Sequence, residues 1–126
     1  NTKKKVLKLV NYLATHPEAK VLFHSSDMVL NIQSDASYLS EPRARSRLAG
    51  CFFLGSKPRK GEAIKMNGNI FVSCGILKIV VTSAAEAELG AFFQNLKEGK
   101  ILCLVVMERG YTHPSTPVHC DNSTVT

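Results

Sequence analysis

Four acidic residues of this 126-residue chain stand where carboxylates could share a cation. Glu86 and Glu88 lie two apart in VTSAAEAELG, Asp35 follows the alternating stretch MVLNIQS, and Asp121 ends the short run VHCD. Ser83 with Glu86 three residues later fits a capping box, in which the serine oxygen accepts from the Glu86 amide and the glutamate reaches back. That gives Glu86 a structural task. Glu88 lies about 200° further round a helix of roughly 100° per residue. Its neighbours there are Ala84, Ala85, Ala91 and Phe92, so it is expected to face a sheet. A carboxylate in that position is costly unless it is paired or binds a cation; otherwise it sits at the edge of the stripe and reaches water. If Asp35 and Asp121 close parallel neighbouring strands, both emerge at the same end, and a helix crossing that edge near its N-terminus brings Glu88 to them. Three clustered carboxylates raise one another's pKa unless a divalent cation neutralises them. All-oxygen ligation suits Mg²⁺ or Mn²⁺, and two such ions about 4 Å apart activate a water and stabilise the leaving oxygen of a phosphodiester. Each aspartate fits a turn or cap equally well.

The elements that must position these residues follow from periodicity. Val6, Leu9, Val10 and Leu13 predict an amphipathic helix over Lys3 to Thr15, which His16-Pro17 ends. Val21 to Phe23 reads as a short strand. Met28 to Asp35 alternates with period two, a strand. YLSEPRARSR reads as a polar loop, and Leu48 to Ser56 as a strand covered on both faces. Asn67-Gly68 suggests a hairpin-type turn before a third strand, Ile70 to Gly75, extended by Ile76 to Val81. The period then changes to 3.6: Leu89, Phe92, Phe93 and Leu96 form an apolar stripe that resumes at Ile101, Leu102, Val105 and Val106. One long helix from Ala84 to Glu108, weakened at Gly99 and ended by Gly110, is expected. Val118 to Asp121 is a short strand, and a further helix is expected to open at Ser123. Three hairpin-linked strands followed by a helix and a strand predict an α/β fold: a mixed sheet of three antiparallel strands plus a parallel one, with a long helix packed on it.

The bulk properties set the class. Hydrophobic residues make up 44% of the chain, which fits a globular domain, and no run is long enough for a membrane span. The N-terminal stretch NTKKKVLKLV lacks the apolar length and cleavage site of a signal peptide. A net charge of +6 favours a polyanionic partner. Cys51, Cys74, Cys103 and Cys120 contain no C-x-x-C pair and read as buried free thiols of a reducing compartment. His119 and Cys120 point to opposite faces of a strand, so they are not read as a ligand pair with Asp121.

The strings SDAS, GCFFLGS, TSAAEAELGA and VHCDN, in this order, resemble the ribonuclease H domain of copia-like LTR retrotransposon polyproteins. The likeness covers about Met28 to Thr126, and the segment before it resembles the connection between polymerase and nuclease in the same polyproteins. The resemblance implies residues 1–27 as a connection segment and 28–126 as an RNase H-like domain. It implies hydrolysis of the RNA strand of an RNA–DNA hybrid with two Mg²⁺ (or Mn²⁺) ions. Asp35, Glu88 and Asp121 are its catalytic and metal-binding carboxylates, and Asn122 a nucleic-acid contact. The alternative is an inactive or truncated module that only binds nucleic acid. The polymerase portion of the polyprotein is a second expected partner, and the compartment is intracellular, in cytoplasmic particles or the nucleus. Leu89 stands where the family usually has tyrosine, and Tyr38 where tryptophan is common. The family's fourth carboxylate and final strand have no counterpart in these residues, so the resemblance implies a domain incomplete at its C-terminal end.

Basic residues cluster in two places. Arg43, Arg45 and Arg47 occupy alternate positions and share one side of an extended chain. Lys57, Arg59, Lys60 and Lys65 crowd the following loop. Both groups suit the phosphates of a hybrid, whose contacts are mainly to backbone and 2′-hydroxyls. Each also suits a solvated surface.

Overall fold

The computed structural model describes residues 2–57 and 59–121. Its elements run α1 (Thr2–Thr15), β1 (Val29–Glu41), β2 (Arg45–Gly55), β3 (Asn69–Ile76), α2 (Ala84–Glu108) and β4 (Val118–His119). The sheet order is β3-β2-β1-β4. β1 pairs antiparallel with β2, and β2 with β3, while β4 runs parallel to β1. The fold is therefore α/β, a mixed four-stranded sheet with α2 packed on β1 and β2. β3 and β4 run the same way, so the chain needs a crossover between them, and α2 supplies it. No helix among the described residues is long and apolar enough to cross a membrane.

The first hairpin is tighter than its sequence suggests. The expected loop YLSEPRARSR is mostly strand: β1 continues to Glu41 and β2 begins at Arg45. The reversal lacks glycine, yet Leu39, Arg43 and Ala44 all take positive φ (51°, 65° and 52°). A register shift between Ser37 and Glu41 absorbs the extra residues, and the Leu39 amide donates to Ser46 Oγ at 3.1 Å. Arg43 thus lies in the turn, and the alternation expected of Arg43, Arg45 and Arg47 holds only for the last two.

Two other short strand assignments fail. Among the described residues Val21–Phe23 pairs with no strand. Asn67 clamps the chain beside it, accepting from the His24 amide at 2.8 Å and donating to the carbonyls of His24 at 2.9 Å and Leu54 at 2.7 Å. Asn67-Gly68 is therefore a side-chain clamp rather than a hairpin turn. Beyond Ile76 the chain leaves the sheet: the Leu77 amide donates to Ser46 O and its side chain enters the core, while Ile79 and Val80 are exposed.

The bounds of α2 agree with the periodicity, but its buried face does not. Ala87, Glu88, Ala91, Asn95, Gly99 and Val106 are buried, whereas Leu89, Phe93 and Leu96 of the expected stripe face outward. Small residues let the helix lie close to the sheet. A side chain at Gly50 would overlap Asn95, and one at Gly99 would overlap Ile32. Between these contacts runs a polar band, in which Asn95 Nδ2 donates to Ser34 Oγ at 2.9 Å and to Ala49 O at 2.8 Å. The band divides two apolar clusters: Leu30, Ile32 and Phe52 on one side, and Leu48, Leu77 and Ala91 on the other. Leu30, Ile32 and Phe52 are fully buried, which contributes roughly 2 kcal/mol each. α1 is a helix, as its spacing predicts, and none of its residues is buried.

Candidate metal centre

The acids meet where the pairing of β1 with β4 runs out. The ladder joins Ile32 to Val118 and Gln33 to His119. The same offset brings Asp121 level with Asp35. Along this edge of β1 the outward amides find successive acceptors. Leu30 N–H donates to His113 Nε2 at 2.9 Å, and Ile32 N–H to Pro117 O at 3.0 Å. Past the end of the ladder, Ala36 N–H donates to Glu88 Oε1 at 3.2 Å. The carboxylate thus takes the amide that a longer β4 would have paired.

Glu88 reaches this point because the start of α2 is fixed. Ser83 is the N-cap and accepts from the Glu86 amide at 3.1 Å. Glu86 reaches back to Thr82, accepting from its amide at 2.6 Å and its hydroxyl at 2.9 Å. These bonds hold the Glu86 carboxyl below the ordinary carboxylate range. The capping box thereby keeps Glu86 at the helix surface and turns Glu88 inward.

Glu88 is 8% exposed. Its Oε2 accepts from Cys120 Sγ at 3.5 Å. Burial pushes its pKa up; the Cys120 and Ala36 hydrogen bonds oppose this, and the charges of Asp35 and Asp121 add to it. One ligand atom each from Glu88, Cys120 and Asp121 lies within 4.8 Å of the other two. Asp35 and Asp121 line a cleft of about 430 Å³ together with Gln33, Cys51, His119 and Cys120. Both aspartates are exposed, and Glu88 approaches from the helix side. Asp35 stands outside the tight trio and shares the cleft with two of its members, Cys120 and Asp121.

The donors that the described residues bring together are two carboxylates and a thiol, Glu88, Asp121 and Cys120. The charges of Asp35 and Asp121 raise the pKa of Glu88, a repulsion that a bound cation would relieve. Cys120 enters the trio although the sequence reading set it aside. Strand alternation does put His119 and Cys120 on opposite faces, but Cys120 faces α2, and Glu88 reaches it there. The signal lay in the face of β4 that the helix covers. The ring of His119 lines the cleft, its buried Nε2 has no hydrogen-bond partner among the described residues, and burial lowers its pKa.

The basic residues divide between the two ends of the sheet. Arg45 and Arg47 lie opposite Glu41 and Ser37, on the Asp35 side of the molecule. Arg47 is already engaged: its Nε lies 2.6 Å from Glu41 Oε1, a contact that lowers the glutamate pKa and raises that of the arginine. Lys57, Arg59, Lys60 and Lys65 follow Gly55, which pairs with Val29, six residues back along β1 and so roughly 20 Å from the level of Asp35. All four are exposed. Asn122 and the helix start expected at Ser123 lie outside the described residues. None of the four cysteines forms a disulfide among the described residues, and the burial expected of them is not met: Cys51, Cys103 and Cys120 are half-buried and Cys74 is exposed. Its Sγ accepts from Arg47 Nη1 at 3.4 Å.

Compared with protein-family models, curated proteins and solved structures, the chain matches none.

Proposed function

We propose that this chain is an RNase H-like nuclease domain of a retrotransposon reverse transcriptase polyprotein, hydrolysing the RNA strand of RNA–DNA hybrids. The observation that carries this reading is the meeting of Glu88 with Asp121 at the end of the β1–β4 ladder, beside a cleft that Asp121 and Asp35 line. The sheet order β3-β2-β1-β4 with a helical crossover before β4 supports the RNase H-like assignment of the fold. Mg²⁺ or Mn²⁺ would be held by these three carboxylates and would supply an activated water and charge stabilisation at the leaving oxygen. The chain's own residues do the positioning. Ala36 N–H fixes one oxygen of Glu88, and Cys120 S–H holds the other in readiness. Asp35 and Asp121 present exposed oxygens at the mouth, where a phosphodiester can approach. Arg45, beside the same end of the sheet, neutralises backbone phosphate.

A binding-only module is the second reading. It is favoured by the acid count, since among the described residues three carboxylates lie in or beside the cleft, Asp35 and Asp121 in its lining and Glu88 next to Asp121, where the two-ion chemistry of the resembled family uses four. One experiment separates the two. A labelled RNA–DNA hybrid is incubated with the chain and Mg²⁺ or Mn²⁺, alongside Asp35→Asn and Asp121→Asn. Cleavage by the wild type, reduced by at least about a hundredfold in each variant with hybrid binding retained, supports the nuclease. Binding without cleavage under both metals leaves the module.

A further inference from the structure

The trio at the end of the β1–β4 seam is mixed in its chemistry. Glu88, Cys120 and Asp121 offer two carboxylates and a thiol, and one ligand atom of each lies within 4.8 Å of the other two. Among the described residues no other three histidine, cysteine or acidic side chains meet so closely. Nuclease chemistry would use the carboxylates, which suit Mg²⁺ or Mn²⁺, and would leave the sulfur without an ion. A thiolate beside carboxylates suits a softer ion, of which Zn²⁺ is the common one.

The spacing at the sulfur is that of a ligand pair. In a tetrahedral zinc site a sulfur roughly 2.3 Å from the metal and a carboxylate oxygen roughly 2.1 Å from it lie about 3.6 Å apart. Cys120 Sγ stands 3.5 Å from Glu88 Oε2. The carboxylate is also oriented from behind, as metal ligands usually are. Ala36 N–H holds Glu88 Oε1 at 3.2 Å, and the capped start of α2 fixes the turn from which Glu88 projects. Glu88 is 8% exposed, a burial that disfavours its charge unless a cation offsets the cost. Asp121 is exposed, and its side chain can turn to close the third side. Three protein ligands leave a fourth position for water. The adjoining cleft holds the buried Nε2 of His119, which has no hydrogen-bond partner among the described residues and so lacks a polar neighbour of the kind such a water would be.

We propose that Glu88, Cys120 and Asp121 bind a thiophilic divalent ion of the Zn²⁺ class, with the Cys120 sulfur as one ligand. Binding exchanges the S–H···O contact with Glu88 for a bond from each atom to the metal, and the thiol proton leaves to solvent. The site shares Glu88 and Asp121 with the nuclease centre but does not rest on cleavage. Mg²⁺ draws on the acids alone, whereas Zn²⁺ draws on the thiol as well, so the two ions compete there and Zn²⁺ holds the advantage.

The test titrates the reduced full chain with Cd²⁺, a spectroscopic stand-in for Zn²⁺, and follows the ultraviolet thiolate-to-metal band. The band is expected to saturate at about one ion per chain, to vanish when Zn²⁺ displaces Cd²⁺, and to survive about a hundredfold excess of Mg²⁺. Cys120→Ser is expected to abolish it. Glu88→Gln and Asp121→Asn, each checked for folding by circular dichroism, should weaken binding by at least about tenfold. Cys74→Ser removes an exposed thiol outside the cleft and should change nothing. Should Cys120→Ser not fold, the two carboxylate variants decide. A band that persists in folded Cys120→Ser overturns the proposal in favour of another thiol. Full affinity in both carboxylate variants also overturns it, leaving adventitious binding by a single sulfur. Displacement by Mg²⁺ as readily as by Zn²⁺ would make this a hard-ion site and overturn it, and so would the absence of any band. None of these readouts needs hybrid cleavage, so the ion site and the nuclease can fail separately.

Discussion

Glu88 is the residue on which the centre turns, and its surroundings give a sign to its pH behaviour. Its folded pKa lies above the ordinary value of 4.5, because burial disfavours the charged form more than two hydrogen bonds favour it. The folded state therefore holds the proton more tightly than the unfolded chain. Its contribution to stability is greatest below pH 4.5 and is lost as pH rises through the folded value. Glu88→Gln keeps an acceptor for the Ala36 amide and removes the buried charge. In metal-free protein at neutral pH it is expected to stabilise the fold by roughly 1 kcal/mol. That difference from wild type should vanish as the solution is acidified towards pH 4.5, as urea titrations at several pH values would reveal. The same variant should abolish hybrid cleavage. A gain in stability with a loss of activity is the pattern expected of a carboxylate kept for chemistry. Much of this was legible in the sequence. The spacing of Ser83 and Glu86 accounted for one glutamate as a cap and left the other for the sheet. The role of Cys120 was not, because its meaning depends on which face of β4 a helix covers.

At the scale of elements, α2 shows where sequence reasoning succeeds and where it misleads. Its ends were legible, because a serine cap and a terminal glycine act locally: Gly110 takes φ 88° and donates to Met107 O. Its buried face was not, because a stripe of large apolar residues outweighs small ones in any pattern count, whereas close packing on β1 and β2 selects alanine, glycine and asparagine. Two substitutions check this inversion. Ala91→Leu, at a fully buried position, is expected to cost about 1–3 kcal/mol through overpacking. Leu89→Gln, on the outward face, should change stability by less than about 0.5 kcal/mol. Thermal or urea unfolding of the pair measures both, and the reverse ranking would restore the stripe as the core face. The hairpin at residues 42–44 was illegible for a different reason. Its two left-handed residues, Arg43 and Ala44, and Leu39 in the strand before it carry none of the glycine or asparagine signals of a tight turn.

For the molecule as a whole, the charge distribution separates two effects. The chain carries +6, yet two acids, Asp35 and Asp121, line its cleft and a third, Glu88, lies beside Asp121. Hybrid affinity should therefore fall as salt rises, through the lysines and arginines, while Asp35→Asn and Asp121→Asn leave that slope unchanged. Mg²⁺ and Mn²⁺ should act on the acids alone. At about a hundredfold excess over Kd, Mn²⁺ is expected to stabilise the fold by about 2.7 kcal/mol, and the double variant Asp35→Asn with Asp121→Asn should lose most of that gain in differential scanning calorimetry. The pairing of β4 has one more consequence. This strand contributes two ladder residues, and the edge of β1 is otherwise sealed by one imidazole and one carboxylate. A transient unzipping of so short a seam would scatter the aspartate at its tip before anything else in the sheet let go. Deuterium uptake at the amides of Leu30, Ile32 and Ala36 should accordingly rise together, ahead of the β1–β2 amides, and slow in concert once a cation pins the seam shut.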